Sequence, residues 1–158
     1  METFELTSSA FAHGETIPVT YTCSDADMSP PLSWSDAPEG TRTFALICED
    51  PDASKGMWSH WVLYNIPANR NSLPANVVPG KKLHWGGDQG ENDSGNARYN
   101  GPCPPPGKPH RYFFRMYALD AELGLEPGAT REALLEAMKG HMLGQAELMG
   151  RYGREHRA

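Results

Sequence analysis

The chain has 158 residues, 39% of them hydrophobic, which suits one globular domain able to bury about 70% of its unfolded-chain surface. Fourteen basic side chains against twenty acidic ones leave a net charge of -6, which repels a nucleic-acid backbone and argues against nucleic acid as a partner. No apolar run approaches the ~20 residues of a membrane span, and the amino-terminal METFELTSSAFAHGE lacks the basic start and apolar stretch of a signal peptide, so a cytoplasmic protein is expected.

In chain order, Ile17, Val19, Tyr21 and Cys23 alternate with Pro18, Thr20 and Thr22, which predicts a strand with one buried face. Thr43 to Glu49 (TFALICE) and His60 to Ile66 (HWVLYNI) are more uniformly apolar, as expected of central strands covered on both sides. Between Leu83 and Pro109 the chain is rich in glycine and polar residues and then in proline, which predicts a long surface loop. Its end, PCPPPGKPHRY, carries successive prolines that fix φ and remove amide donors, so the segment reads as a stiff wall. His110 to Leu119 is an aromatic, β-rich run, and Ala146 to Tyr152 alternates again. Between them, Thr130 is placed to cap a helix over REALLEAMK, with Glu132 in its first turn, Gly140 as its stop, and Leu134, Leu135 and Met138 as its apolar stripe. The sum is a mainly β fold, a sandwich with one late helix packed against it, spanning 1-158 as a single domain.

The three cysteines, Cys23, Cys48 and Cys103, are an odd and sparse set without a CxxC pair, and reduced thiols are expected. No ligand spacing calls for a metal, and no cofactor is implied.

The chemistry gathers at strand ends. Alternation puts Trp58 and His60 on one face of their strand, and His110 and Tyr112 on one face of theirs. The short connection from DPD to WSHW brings Asp50 and Asp52 within reach of His60, and Pro51 stops the first strand. Imidazole N–H groups and a phenol can hold an anion, and a carboxylate beside two imidazoles favours their charged form. His13, His84, His141 and His156 are given no site role.

The motifs YTC, SPPLSW, DPDAS, WSHWVLYNIP, GPCPPPG and HRYFFRMYALD stand in this order between about Phe11 and Arg154. The set resembles the phosphatidylethanolamine-binding protein family, in particular its bacterial Raf-kinase-inhibitor-like branch. The resemblance implies a large sheet packed on a smaller one, a peripheral helix, and a pocket at one end of the sandwich for phosphate or a phospholipid head group. It places that pocket on Asp50, Pro51, Trp58, His60, Pro104, Pro105, His110 and Tyr112, with Asp52 orienting the loop. Cys103 stands at the mouth where many eukaryotic relatives have glycine, either as a thiol or as a partner of Cys23, and Ser54 stands where many relatives have proline. The resemblance also implies a regulator or inhibitor of a kinase or peptidase, and a homodimer for which Trp85 or Met142 and Leu143 could supply the apolar contact. The competing expectation is a metal-independent phosphodiester or ester hydrolase using the same Asp, His and Tyr side chains. Ser54 and Ser59 flank the site, but no G-x-S-x-G elbow accompanies them, and no catalytic residue is assigned.

Overall fold

Among residues 4–154, which the computed structural model describes, the chain forms eight strands and one α-helix. In order they are β1 (Glu5–Thr7), β2 (Leu32–Ser35), β3 (Thr43–Asp50), β4 (Trp58–Pro67), β5 (Ser72–Leu73), β6 (Asp88–Gln89), β7 (His110–Leu119), α1 (Arg131–Met138) and β8 (Met142–Tyr152). They build two antiparallel sheets, a small one ordered β1-β2-β5 and a large one ordered β6-β4-β3-β7-β8. This is the expected sandwich of a large sheet on a smaller one.

The uniform hydrophobicity of β3 follows from its central place. Phe44, Leu46 and Cys48 enter the core between the sheets, while Ala45 and Ile47 enter a second core under α1. Every residue of β3 is therefore buried. The helix begins and ends where its sequence directs: the Thr130 hydroxyl accepts the Ala133 N–H, and Gly140 takes the left-handed φ of +81° just beyond its end. Leu134 and Met138 are fully enclosed against the sheet, each burial stabilising by about 1.5–3 kcal/mol. Glu49, also buried, accepts from Arg115 at 2.7 Å and from Arg131 at 2.6 Å, tying the first residue of α1 to the sheet. Removing either arginine leaves part of a buried charge uncompensated.

Three expectations need correction. Residues 17–23 are not a strand: Ile17 enters the core, but Val19–Tyr21 forms a 3-10 turn and Val19 is 48% exposed. Pro18 sets φ at -58°, and the Thr22 hydroxyl donates to the Val19 carbonyl at 2.8 Å, so side-chain chemistry closes the turn that alternation disguised. The loop after Leu83 is not without an element, since β6 pairs with β4. Within it Gln89 is fully buried, accepting the Trp61 indole N–H at 2.6 Å and donating to the Val78 and Gly80 carbonyls. Finally, the cysteines are not all reduced. Cys23 and Cys103 form a disulfide with Cα atoms 5.4 Å apart, because the chain folds the YTC segment onto the proline wall. Cys48 alone is free, and burial pushes its thiol up, so it behaves as a small core hydrophobe.

Candidate functional site

The carboxyl end of β3, the start of β4 and the start of β7 lie side by side, since Asp50 pairs with Trp58 and Glu49 with Phe113. A cavity of about 510 Å³ opens at this edge of the sandwich.

Asp50, only 3% exposed, organises it. One carboxylate oxygen accepts from His110 Nδ1 at 2.7 Å, and the other accepts the Asp52 N–H at 2.7 Å, closing the DPD turn. A single buried group thus sets both the turn and the direction of an imidazole. His60 is fixed differently, by a 2.7 Å hydrogen bond from Nδ1 to the Asn100 carbonyl. A carbonyl can only accept, so Nδ1 carries the proton and Nε2 is left as the lone pair of the neutral ring. Burial lowers the His60 pKa below its ordinary value, outweighing the bond to Asn100 and the charge of Asp50, which act the other way. The expectation of a charged His60 is replaced by a neutral one. Burial and the Asp50 charge drive the Tyr112 phenol far upward, keeping it a protonated donor. The His60 ring meets Tyr112 edge-on at 5.3 Å, and His110 stacks over it at 6.3 Å.

The loop from residue 92 to 101 supplies the acceptor for His60, and Asn92 shapes it. Its side-chain amide donates to the Arg98 carbonyl and the Asn100 side chain, both at 2.8 Å, while its oxygen accepts the Ser94 and Asn96 N–H groups. Gly101 lets the loop reach the floor: a Cβ there would lie 2.3 Å from the Tyr21 carbonyl oxygen. Its N–H donates to Asp27 at 2.7 Å. The opposite wall is Pro104, buried, and Pro105, exposed, with the Pro104 carbonyl accepting Arg154 Nε at 2.6 Å. The Cys23–Cys103 bridge joins this wall to the segment before Asp27.

Of the residues expected in the site, Asp50, Trp58, His60, Cys103, Pro104, Pro105, His110 and Tyr112 line the cavity. Pro51 and Asp52 do not: Asp52 turns to the outer side, where both its oxygens engage the Arg111 guanidinium at 2.9 and 3.0 Å. That partner holds the Asp52 carboxyl down at about 2. Asp27, Lys55, Asn96 and Asn100 also line the cavity and were not anticipated. Their contribution depends on loop backbone, as with Asp27 at φ 55°, for which the sequence offers only its surrounding turn residues. His13, His84 and His141 lie away from the cavity, and His156 falls outside the described residues.

Two antiparallel sheets with a polar cavity at the strand ends define a β-sandwich protein of the pocket-bearing kind. A family model described as phosphatidylethanolamine-binding protein matches residues 7–153. The UPF0098 protein of Methanothermobacter thermautotrophicus is 52% identical over 149 residues, covering 94% of this chain and 98% of that one. The UPF0098 protein of Aquifex aeolicus is 46% identical over 153 residues, covering 96% and 89%. Among solved structures, the putative phosphatidylethanolamine-binding protein homolog CT736 of Chlamydia trachomatis matches with a TM-score of 0.88 at 42% identity, over 98% of this chain and all of that one. E. coli YbcL, described as a new member of the mammalian family, matches with a TM-score of 0.89 at 34% identity, over 96% and 99%. The chain belongs to the phosphatidylethanolamine-binding protein family. No helix among the described residues is long and apolar enough to cross a membrane.

Proposed function

We propose that the cavity binds one compact anionic group, inorganic phosphate or the phosphorylated head of a phospholipid, and that the protein acts as a binder rather than a hydrolase. The observation that supports this reading is the meeting of the Tyr112 phenol, the Asp50-held His110 and the neutral His60 on one cavity of about 510 Å³. An ionised phosphate oxygen accepts from Tyr112, each such charge-assisted bond contributing about 1.5–3 kcal/mol. A protonated phosphate oxygen donates to His60 Nε2. Trp58, Pro104 and Pro105 limit the size of what enters.

Occupancy then regulates a partner, a kinase or peptidase whose phosphorylated or acidic side chain competes for the same donors. Met142 and Leu143, exposed by 54% and 39% at the start of β8, are the apolar surface for a homodimer, while Trp85 is covered by Arg70 at 4.1 Å. The cytoplasmic expectation is not carried into this reading, because a disulfide such as Cys23–Cys103 persists most readily in oxidising compartments. Calorimetry with phosphate and phosphoethanolamine tests the proposal: saturable binding that falls in His60→Ala without loss of fold supports it. Release of product from phosphodiester substrates, abolished by the same change, favours the hydrolase.

A further inference from the structure

Two carboxylates border the anion cavity, Asp50 and Asp27, and they are engaged differently. Both Asp50 oxygens are occupied, one by His110 and one by the Asp52 N–H. Asp27 uses only Oδ1, which accepts the Gly101 N–H at 2.7 Å; among the described residues no cation lies within ion-pair distance of its carboxylate. This second carboxylate stands close to the anion donors. Asn100 and Gly101 are consecutive, so the carbonyl that orients His60 at 2.7 Å and the N–H that holds Asp27 belong to one short piece of loop. The Asp27 charge is felt at the His60 ring, where it opposes the larger effect of burial. A bare phosphate gains nothing from such a carboxylate and is repelled by it.

The side chain of Asn100, which borders the same cavity, is oriented by its neighbours. The Asn92 oxygen accepts the Ser94 and Asn96 N–H groups, so the Asn92 amide nitrogen is the atom turned to Asn100. Asn100 Oδ1 accepts from it at 2.8 Å and from the Asn96 amide at 3.0 Å. Its acceptor is thus filled, and its N–H groups remain for a ligand. Among the described residues Ser59 Oγ alone is a buried side-chain polar atom without a partner, so Asp27 Oδ2 and Asn100 Nδ2 are both open to solvent. Lys55 adds another donor at the rim. The wall beside the phosphate donors therefore presents one acceptor among donors. A hydroxyl, which both donates and accepts, matches it, whereas an ammonium only donates and meets the opposing charge of Lys55.

We propose that the ligand of this cavity is a phosphate ester of a polyol, with hydroxyls on neighbouring carbons, one donating to Asp27 Oδ2 and the next accepting from Asn100 Nδ2. The proposal rests on the anion reading of the cavity and names what the ligand carries beyond its phosphate.

The test is calorimetry at fixed pH and ionic strength with glycerol 3-phosphate, propyl phosphate, which has the same carbon chain without hydroxyls, ethyl phosphate and phosphoethanolamine. Glycerol 3-phosphate binds roughly tenfold more tightly than propyl phosphate, and phosphoethanolamine no more tightly than ethyl phosphate. Asp27→Asn keeps an oxygen for the Gly101 N–H and suits the φ of 55° at that position, but turns a donor toward the ligand. It closes the gap between the two three-carbon esters and tightens propyl phosphate, because a repelling charge has gone. Vesicles of phosphatidylglycerol, which present the same diol, displace glycerol 3-phosphate if a lipid carries the group; displacement by soluble esters alone assigns it to a free ligand. Equal binding of both three-carbon esters, a gap that survives Asp27→Asn, or a gain confined to phosphoethanolamine overturns the polyol while the anion reading stands. If none of the esters binds, the anion reading falls and the polyol falls with it.

Discussion

Asp50 receives the Nδ1 hydrogen of His110 at 2.7 Å while its side chain is only 4% exposed, so the pair is one buried unit rather than two residues. Asp50→Asn and His110→Gln should each weaken phosphate binding, and the double variant should lose little more than the worse single one. A coupling of about 1 kcal/mol or more from a double-mutant cycle is expected. Additive losses would show that the two act separately.

Anion binding should take up a proton. His60 is neutral in the empty pocket, and an anion against Nε2 favours the imidazolium, so affinity rises as pH falls. Sulfate, which does not itself titrate near neutrality, isolates the protein's contribution. Its affinity should climb from mildly alkaline to mildly acidic pH, and the slope should be smaller in His60→Gln.

Acid should destabilise the fold in two separate windows. His60 has a folded pKa below its ordinary 6.5, so the unfolded chain binds more protons and stability falls as pH drops below 6.5. Asp52 is held at about 2 against an ordinary 3.8, so its contribution is present above 3.8 and lost as pH falls toward 2. Solvent screening limits the Asp52 step to about 1 kcal/mol or less. Thermal melts across pH should lose the first step in His60→Gln and the second in Asp52→Asn.

Replacing both Cys23 and Cys103 by serine should cost about 2–4 kcal/mol of stability, measured by denaturant unfolding. Phosphate affinity should fall far less, because the Cys23 N–H still donates to the Pro102 carbonyl at 3.1 Å and holds the wall near its place.

Specificity should reside in the proline wall. Pro104→Gly with Pro105→Gly should admit bulkier phosphomonoesters without weakening phosphate itself, since neither residue donates a hydrogen bond. Arg154→Ala, which frees the Pro104 carbonyl, should shift the same way but less. An unchanged ranking of esters by size would assign selection to another group.

Long apolar runs made β3, β4 and β7 legible, and the Thr130 cap with its apolar stripe made α1 legible, because local pattern and tertiary burial agree there. The small sheet was not legible as strands, since β1 and β5 span three and two residues and carry too few alternations. In the site, residue types were readable but pairings were not. Adjacency along the chain brings Asp50 near His60, yet the order β4-β3-β7 sets β3 between both histidine strands, and the hydrogen bond goes to His110. The partner of His60 is a backbone carbonyl at Asn100, for which no side-chain signal exists.

The bridge between Cys23 and Cys103 spans a sequence separation of 80, which has a consequence for cleavage. Lys55, Lys81 and Lys82 are exposed and all fall inside that span. A protease that cuts once after any of them divides the polypeptide but not the molecule, since both fragments remain covalently joined. Nicked protein should therefore migrate as a single species on a gel until a thiol is added, and only then separate into two.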